Sequence, residues 1–462
     1  MSESDTIAAI STPVGEGGIG IVRISGKDAF SIGKKMFLPW RKPSRGYPRS
    51  HYLYYGHILS EHRDHLDEVL VTFMRAPRTY TREDSVEINC HSGILTLRML
   101  LKRALEEGAR MAGPGEFTRR AFLNGRIDLN QAESVLKIIR ARSDEAVKKA
   151  VLNVGGHLSK EIGELREGIL NILTRLEAHL DFPEDLEDEV KLDDKTREEM
   201  IRIVERLGKL TDGAERGRVM QEGLITAIAG KPNAGKSSLL NALLKEQRAI
   251  VHEIPGTTRD LLEGFITVRG YPLRLIDTAG IHGTDDPVEK EGVLRARGAI
   301  TEACLLIVVL DGSTSWSEDD ESVASLLRPG QLVVVVINKM DLDQKIDRNR
   351  VTERFQGYPL VQTSATLNQG IDLLEDVIVN LLDKNLGPVA AESPAIVTLR
   401  HAGIIQEART LMEKALQANE YWPLELVSLD LKDAWLRLGE ISGENISGEI
   451  LERIFSEFCI GK

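Results

Sequence analysis

The nine residues GKPNAGKSS, Gly230 to Ser238, follow the apolar run Leu224 to Ala229 and precede a helical stretch that begins near Leu239. A G-x-x-x-x-G-K-S spacing between strand and helix constrains this chain more than any other feature. Glycine-permitted backbone N–H groups around Asn233, Ala234 and Gly235 can wrap a phosphate chain there. Lys236 then reaches the β/γ oxygens, and Ser237, beside Ser238, holds Mg²⁺. A chance match in an ordinary strand-to-helix turn is the bland alternative, and the context on both sides argues against it.

The surrounding pattern agrees. Short strands alternate with helical spacing: Leu224 to Ala229, Gly264 to Val268, Leu273 to Ile276, Cys304 to Leu310, Leu332 to Ile337 and Leu360 to Thr363. Several are continuous apolar runs, as strands covered on both faces of a doubly wound sheet require. Arg269, Gly270 and Tyr271 leave only a tight link between the second and third, which predicts an antiparallel edge there.

Guanine specificity comes from NKMD, Asn338, Lys339, Met340 and Asp341, after the run Leu332 to Ile337. The Asp341 carboxylate can accept from guanine N1–H and the 2-amino group, a pair that adenine lacks. In register with it stand DTAG (Asp277, Thr278, Ala279, Gly280) and Ser364-Ala365-Thr366. Asp277 is expected to support Mg²⁺ through water, Gly280 N–H to sense the γ-phosphate, and Ala365 N–H to meet the guanine oxygen. Where Ras-like enzymes place a water-orienting Gln, this chain has Ile281. Either hydrolysis is very slow, or Glu289 or a cation near the phosphates does that work; the bland reading of Glu289 is a helix-start acid.

The remainder of the chain bounds the setting. At 462 residues it exceeds one growing core, so two to four domains are expected. No apolar run approaches the 18 or so residues that span a bilayer. The start MSESDT lacks a basic-then-apolar leader, and Cys90, Cys304 and Cys459 have no paired spacing, which together read as a protein of the reducing cytoplasm. A net charge of −12 excludes bulk attraction to nucleic acid, so any RNA contact must be local. Arg110, Arg119, Arg120 and Arg126 cluster, and taken alone they read as a solvated face. His51, His57, His62 and His65 match no zinc spacing.

Three textures follow one another. Residues 1 to about 125 mix β-rich runs with Gly/Pro turns and one helical pattern, Leu95 to Leu105, which predicts a small α+β unit. Residues 126–218 turn helical, with Leu158, Ile162, Leu165, Ile169, Ile172, Leu176 and Leu180 on one stripe broken from the preceding helix at Gly155 and Gly156. Residues 219–384 hold the strands above. Residues 385–462 return to helices, with Leu399, Ala402, Ile405, Ala408, Met412 and Ala415 on a stripe. The fold class is therefore multidomain α/β: a P-loop GTPase doubly wound sheet inserted in an all-α helical domain, preceded by an α+β domain. The chain ends CIGK, and Cys459 three residues from the terminus fits neither prenylation, since Gly461 and Lys462 are wrong for it, nor a disulfide.

The P-loop with Asn233, the segment His252-Glu253-Ile254-Pro255-Gly256-Thr257-Thr258, the helical flanks and the CIGK ending resemble the tRNA modification GTPase MnmE (TrmE) family. So do DTIAAISTPVGEGGIGIVRISG, TYTREDSVEINCHSG and PGEFTRRAFLNGRIDLNQAES, and the resemblance spans nearly the whole chain. It implies a K⁺ ion held by the Asn233 side chain and the carbonyls of His252, Ile254 and Thr257, with Thr258 completing the Mg²⁺ shell and Glu289 positioning water. G domains that meet when GTP binds are implied too, as is a homodimer through the N-terminal domain. Arg23, Glu87, Arg126 and Lys462 fall on the family's positions for a 5-formyl- or 5,10-methylene-tetrahydrofolate. His282 stands where the family often has Arg, Arg126 where some relatives have Lys, and HSG at His91 to Gly93 where HGG is common.

By the same resemblance, the function is GTP-driven modification of C5 of wobble uridine in tRNA. It adds an aminomethyl or carboxymethylaminomethyl group in a heterotetramer with an FAD- and NADH-using protein of the MnmG (GidA) family, with no membrane involved. Cys459 is then either a thiol that attacks or relays at uridine, or a small residue packed beside Phe455 and Phe458. The rival reading is a GTP-switched RNA-binding or ribosome-assembly factor without covalent chemistry, which needs neither PGEFTRRAFLNGR nor CIGK.

Overall fold

The computed structural model describes residues 5–13, 15–41, 46–141, 143–181, 194–211, 214–246, 264–276, 302–386, 397–418 and 424–462. It divides into two compact units: Met1–Leu136 with Ser159–Arg166 and Leu436–Lys462, and Lys137–Leu158 with Glu167–Trp435.

In the first unit the elements run β1 (Ile7–Ile10), β2 (Gly20–Ser25), α1 (Ala29–Met36), β3 (Phe37–Pro39), β4 (Tyr52–Leu59), β5 (His65–Met74), β6 (Ser85–Cys90), α2 (Ile94–Glu106), β7 (Arg110–Met111), α3 (Glu116–Leu123) and α4 (Leu129–Arg140). The sheet order is β3-β4-β5-β6-β2-β1-β7, antiparallel except for the β1–β7 pair. Strand alternation sends Val22, Ile24, Val71, Phe73, Val86 and Ile88 to one face, where they meet Phe30 and Met36 of α1 and Leu97 and Leu100 of α2. Arg23 and Glu87 therefore point to the other face, paired across β2 and β6. His57 and His65 stack on paired strands, ring centroids 4.3 Å apart.

Arg110 and Arg120 correct the expectation of a solvated basic face. Both are anchored inside a five-member ion network with Asp5, Glu83 and Glu116: Arg120 is 8% exposed and donates to Asp5 at 2.7 Å and to Glu116 at 3.0 Å, while Arg110 reaches Asp5 and Glu116 at 2.7 Å each. Three carboxylates facing two guanidiniums leave no free cation to offer RNA.

The helices α5 (Asp144–Val154), α6 (His157–Asp181), α7 (Asp194–Thr211) and α8 (Ala214–Glu222) come next. Gly155 and Gly156 do fall in the break between α5 and α6. Then follow β8 (Leu224–Ala229), α9 (Lys236–Glu246), β9 (Gly264–Val268), β10 (Tyr271–Leu275), β11 (Leu305–Asp311), α10 (Glu318–Ala324), β12 (Leu332–Asn338), α11 (Arg348–Arg354), β13 (Leu360–Gln362) and α12 (Ile371–Leu386). Their sheet has the order β13-β12-β11-β8-β10-β9, parallel but for β9–β10, whose link is the left-handed pair Arg269 and Gly270. Every residue of β11 is buried, as the continuous apolar run predicts. Val219 and Met220 of α8 enter this core with Leu224, Leu273 and Ile378.

The chain closes with α13 (Leu399–Ala418), α14 (Leu424–Ser442) and α15 (Gly448–Ser456). Of the expected stripe, Ile405, Ala408, Met412 and Ala415 are buried on α13 while Leu399 at its first residue is exposed; the helix packs along α7 and its buried Met200, Ile203 and Leu207. Segments from before and after the sheet in sequence thus pack together.

Candidate nucleotide site and carboxyl-terminal tail site

The loop from Gly230 to Gly235 leaves the end of β8 and feeds α9, whose first residue is Lys236. Its backbone runs close to the neighbouring strand: a Cβ on Gly230 would lie 2.2 Å from the Val309 carbonyl oxygen. Gly235 takes a left-handed φ of 96°, and a side chain there would strike Asn338 Nδ2. Asn233 is left-handed as well, with its side chain exposed. Lys236 Nζ donates to the carbonyls of Gly230 and Lys231 at 2.8 and 2.9 Å, so the ammonium closes the loop it belongs to. Burial pushes its pKa below the ordinary lysine range.

Asn338, 2% exposed, ties the loop to the base-recognition segments. Its Nδ2 donates to Ala234 O at 3.1 Å; its Oδ1 accepts from Thr363 Oγ1 and from Ala365 N–H, both at 3.1 Å. The Ala365 N–H, expected to meet a guanine oxygen, donates here to the Asn338 side chain. Ser364 Oγ donates to Asp341 Oδ1 at 2.5 Å and lies 3.3 Å from Thr366 Oγ1, which fixes the exposed carboxylate of Asp341 in one orientation. Lys339 Nζ donates to Asp311 Oδ2 at 2.7 Å. Burial opposes the Asp311 charge, but Lys339 and Ser313 outweigh it and hold the carboxyl below the usual range.

Two positions escaped the motif reading. Lys231 Nζ donates to the buried Asp320 at 2.9 Å, and the same Asp320 oxygen accepts from Ser317 N–H and Oγ at the start of α10. The S-x-x-D of a capping box was the available signal, since it says which acid turns back onto its own helix. The segments His252 to Thr258 and Asp277 to Gly280, with Ile281, His282 and Glu289, lie outside the described residues.

In the first unit, Arg23 Nε donates to Glu87 Oε1 at 2.8 Å and Arg23 Nη1 to the Gly461 carbonyl at 3.4 Å. Read from the sequence alone, Arg23 ends a strand and Glu87 faces solvent; in fact Arg23 lies inside β2, and both are partly buried by this pairing. Tyr80, unmarked in the sequence, sits between two guanidiniums, with Arg23 at 5.6 Å and Arg126 at 4.6 Å from its ring centre. Arg126 also donates to Tyr80 O at 3.0 Å. Phe455 and Phe458 bury against Leu129, Ala132 and Leu136, and the tail beyond them bridges Ile460 to Pro114. Gly461 at φ 95° passes so close to β1 that a Cβ would lie 2.2 Å from Ile10 O. Cys459 is an exposed free thiol, which corrects the reading of it as a packed small residue, since the two phenylalanines fill that core instead. Lys462, half-buried, follows it.

A P-loop ahead of a helix, in a parallel sheet, with an Asp oriented at the base-recognition end, defines a guanine-nucleotide-binding P-loop protein. Its sequence matches the family described as MnmE helical domain over residues 129–459 and that described as GTP-binding protein TrmE N-terminus over residues 6–126. A tRNA modification GTPase MnmE of Shouchella clausii is 45% identical over 462 residues, covering 100% of both chains. One of Geobacillus thermodenitrificans is 46% identical over 468 residues, again covering 100% of each. The chain belongs to the MnmE family of tRNA modification GTPases. The G domain of a Thermotoga maritima FeoB iron transporter is 31% identical, covering 34% of this chain and 98% of that one, but at a TM-score of 0.26 it adds nothing to the fold.

Proposed function

We propose that this chain hydrolyses GTP to drive modification of wobble uridine at C5, adding an aminomethyl or carboxymethylaminomethyl group from a tetrahydrofolate one-carbon unit, with an FAD- and NADH-using partner of the MnmG family. The observation that carries the reading is the seating of Cys-Ile-Gly-Lys against Pro114 and β1, with the Gly461 carbonyl accepting from Arg23. A plain GTP switch has no use for a Cys-Ile-Gly-Lys segment held against a guanidinium that is itself paired with Glu87 and lies over Tyr80. The proposed division is 1–125 for folate and dimerisation, 126–218 and 385–462 for the helical domain, and 219–384 for the G domain.

GTP suits the residues around the P-loop: Gly235 takes a left-handed φ that a side chain would strain, Lys236 is in place to turn its ammonium onto phosphates, and the fixed Asp341 offers lone pairs to guanine. Ser237 and Thr258 would hold Mg²⁺. The exposed Asn233 side chain, with the carbonyls of His252, Ile254 and Thr257, would hold K⁺, which supplies positive charge where it builds between the β- and γ-phosphates. Glu289 would orient water. Arg23, Arg126 and Lys462 would meet the anionic end of a folate, Glu87 its hydrogen-bond donors, and Cys459 would act at the uridine.

GTP turnover in KCl against NaCl at equal ionic strength tests the nucleotide half. Faster turnover in K⁺, lost in Asn233→Ala and in Glu289→Ala, is expected; equal rates in the two salts would remove the cation from the mechanism. Equilibrium binding of 5-formyl-tetrahydrofolate to the wild type and to Arg23→Ala tests the other half.

A further inference from the structure

The loop between β5 and β6, Arg75 to Asp84, carries five charged side chains and sorts them by sign. Its acids are held by the protein itself. Glu83 accepts from Ser25 Oγ at 2.8 Å and from Arg120 at 3.1 Å, and Asp84 Oδ1 accepts from the Ala76 N–H at 2.9 Å. Arg75, Arg78 and Arg82 stay exposed, and none of the three makes an ion pair among the described residues. The neighbouring Arg49 and Arg126 are exposed as well.

The backbone under these side chains is tied down at several points. Arg75 N–H donates to Ser50 Oγ at 2.9 Å, a ring nitrogen of His51 bonds the Arg78 carbonyl at 2.7 Å, and Arg82 Nη1 donates to Asn124 O at 2.9 Å. Through Asn124 the loop joins the turn that carries Arg126, whose guanidinium rests on Tyr80. The result is a preorganised rim of guanidiniums on a chain whose net charge is −12.

We propose that this rim of Arg49, Arg75, Arg78 and Arg82 receives the phosphate backbone of a structured RNA, the tRNA whose base is modified. The proposal rests on reading the chain as an enzyme that acts on tRNA directly. Bulk attraction is absent, so binding needs a local array, and planar guanidinium forks match phosphate oxygens in pairs where lysine offers a point charge. Pairing of Glu83 with Arg120 neutralises one of the loop's two acids, which would otherwise repel a polyanion. The loop also carries Tyr80, so RNA bound here would approach the aromatic ring under the Arg23 guanidinium.

The test is fluorescence anisotropy of a labelled tRNA transcript with the full chain across a salt series, comparing wild type with Arg75→Glu, Arg78→Glu and Arg82→Glu combined. The triple variant is expected to bind about tenfold or more weaker near 0.15 M salt, with the log–log salt slope shallower by about two to three. The Gln triple should fall between, and GTP turnover and far-UV circular dichroism should match wild type. Unchanged tRNA affinity in the triple variant would overturn the rim. So would an unchanged tRNA affinity together with lost binding of the partner protein, which would assign the rim to an acidic protein surface. Wild-type protein that binds no tRNA would overturn the reading underneath.

Discussion

The two sheets of this protein stabilise charge in opposite ways. In the nucleotide-binding sheet the central strands are apolar on both faces, and the polar groups gather at the strand ends and the loops that follow, where Asn338, Asp311 and Lys236 sit. In the amino-terminal sheet one face is apolar, while the polar side carries Arg23 with Glu87, and a network of Asp5, Glu83, Arg110, Glu116 and Arg120 lies beside it. The first arrangement leaves stability to burial and polarity to ligand binding. The second makes ion pairing part of what holds the unit together, so charge substitutions should act on stability there and on nucleotide affinity in the G sheet.

The largest effect should come from Arg120→Ala, which strips a buried guanidinium from three carboxylates. Breaking such a set costs about 3–5 kcal/mol, seen as a lower denaturant midpoint of the amino-terminal unit, with the GTP site untouched. A smaller loss would mean the carboxylates find water and the comparison is overstated. Asn338→Ala should cost about 2–3 kcal/mol, because it leaves Ala365 N–H and Thr363 Oγ1 without their shared acceptor. Fluorescent GDP titration should record that loss as affinity weaker by about 30-fold or more, whereas pure destabilisation with normal affinity would break the contrast.

Gly461→Ala, at about 1–3 kcal/mol, should lift the tail from β1, because the new Cβ would collide with Ile10 O. Carboxypeptidase should then remove Lys462 faster than from wild type, at equal GTP turnover. The smallest effect concerns acid. Hydrogen bonding to Arg110, opposed by burial and helped by Arg120, holds the Asp5 pKa at about 2, below its ordinary 3.8. A depressed carboxylate stabilises the fold fully above its unfolded value and loses that contribution as pH falls through the folded one. About 1–2 kcal/mol, reduced for partial exposure, should therefore vanish between about pH 4 and pH 2, and Asp5→Asn should flatten that slope.

Much of the fold was legible because it is written in local spacing. Leu332 to Ile337 reads as a covered strand from its apolar run alone, and Arg269-Gly270 as a hairpin link from the glycine. The strand after that link starts at Tyr271, two residues before the expected Leu273, because Tyr271 buries its ring in the sheet core. Arg110 and Arg120 were misread as a solvated face for a different reason. Their partners Asp5 and Glu83 are far away in the chain, and no periodicity announces a pairing across 115 residues.

By itself the sequence determined the strand–P-loop–helix unit, the Asn338-Lys339-Met340-Asp341 motif that follows its apolar strand, and the helical stripes on either side of the insertion. Each of these is set by residues within about ten positions of one another, where spacing and backbone preference act directly. Only the tertiary structure decided that Arg23 meets the Gly461 carbonyl, 438 residues on, that Tyr80 lies beneath both the Arg23 and the Arg126 guanidinium, and that Glu83 pairs with Arg120. Those contacts depend on sheet register and on the packing of the last helix, which no local stretch of chain encodes.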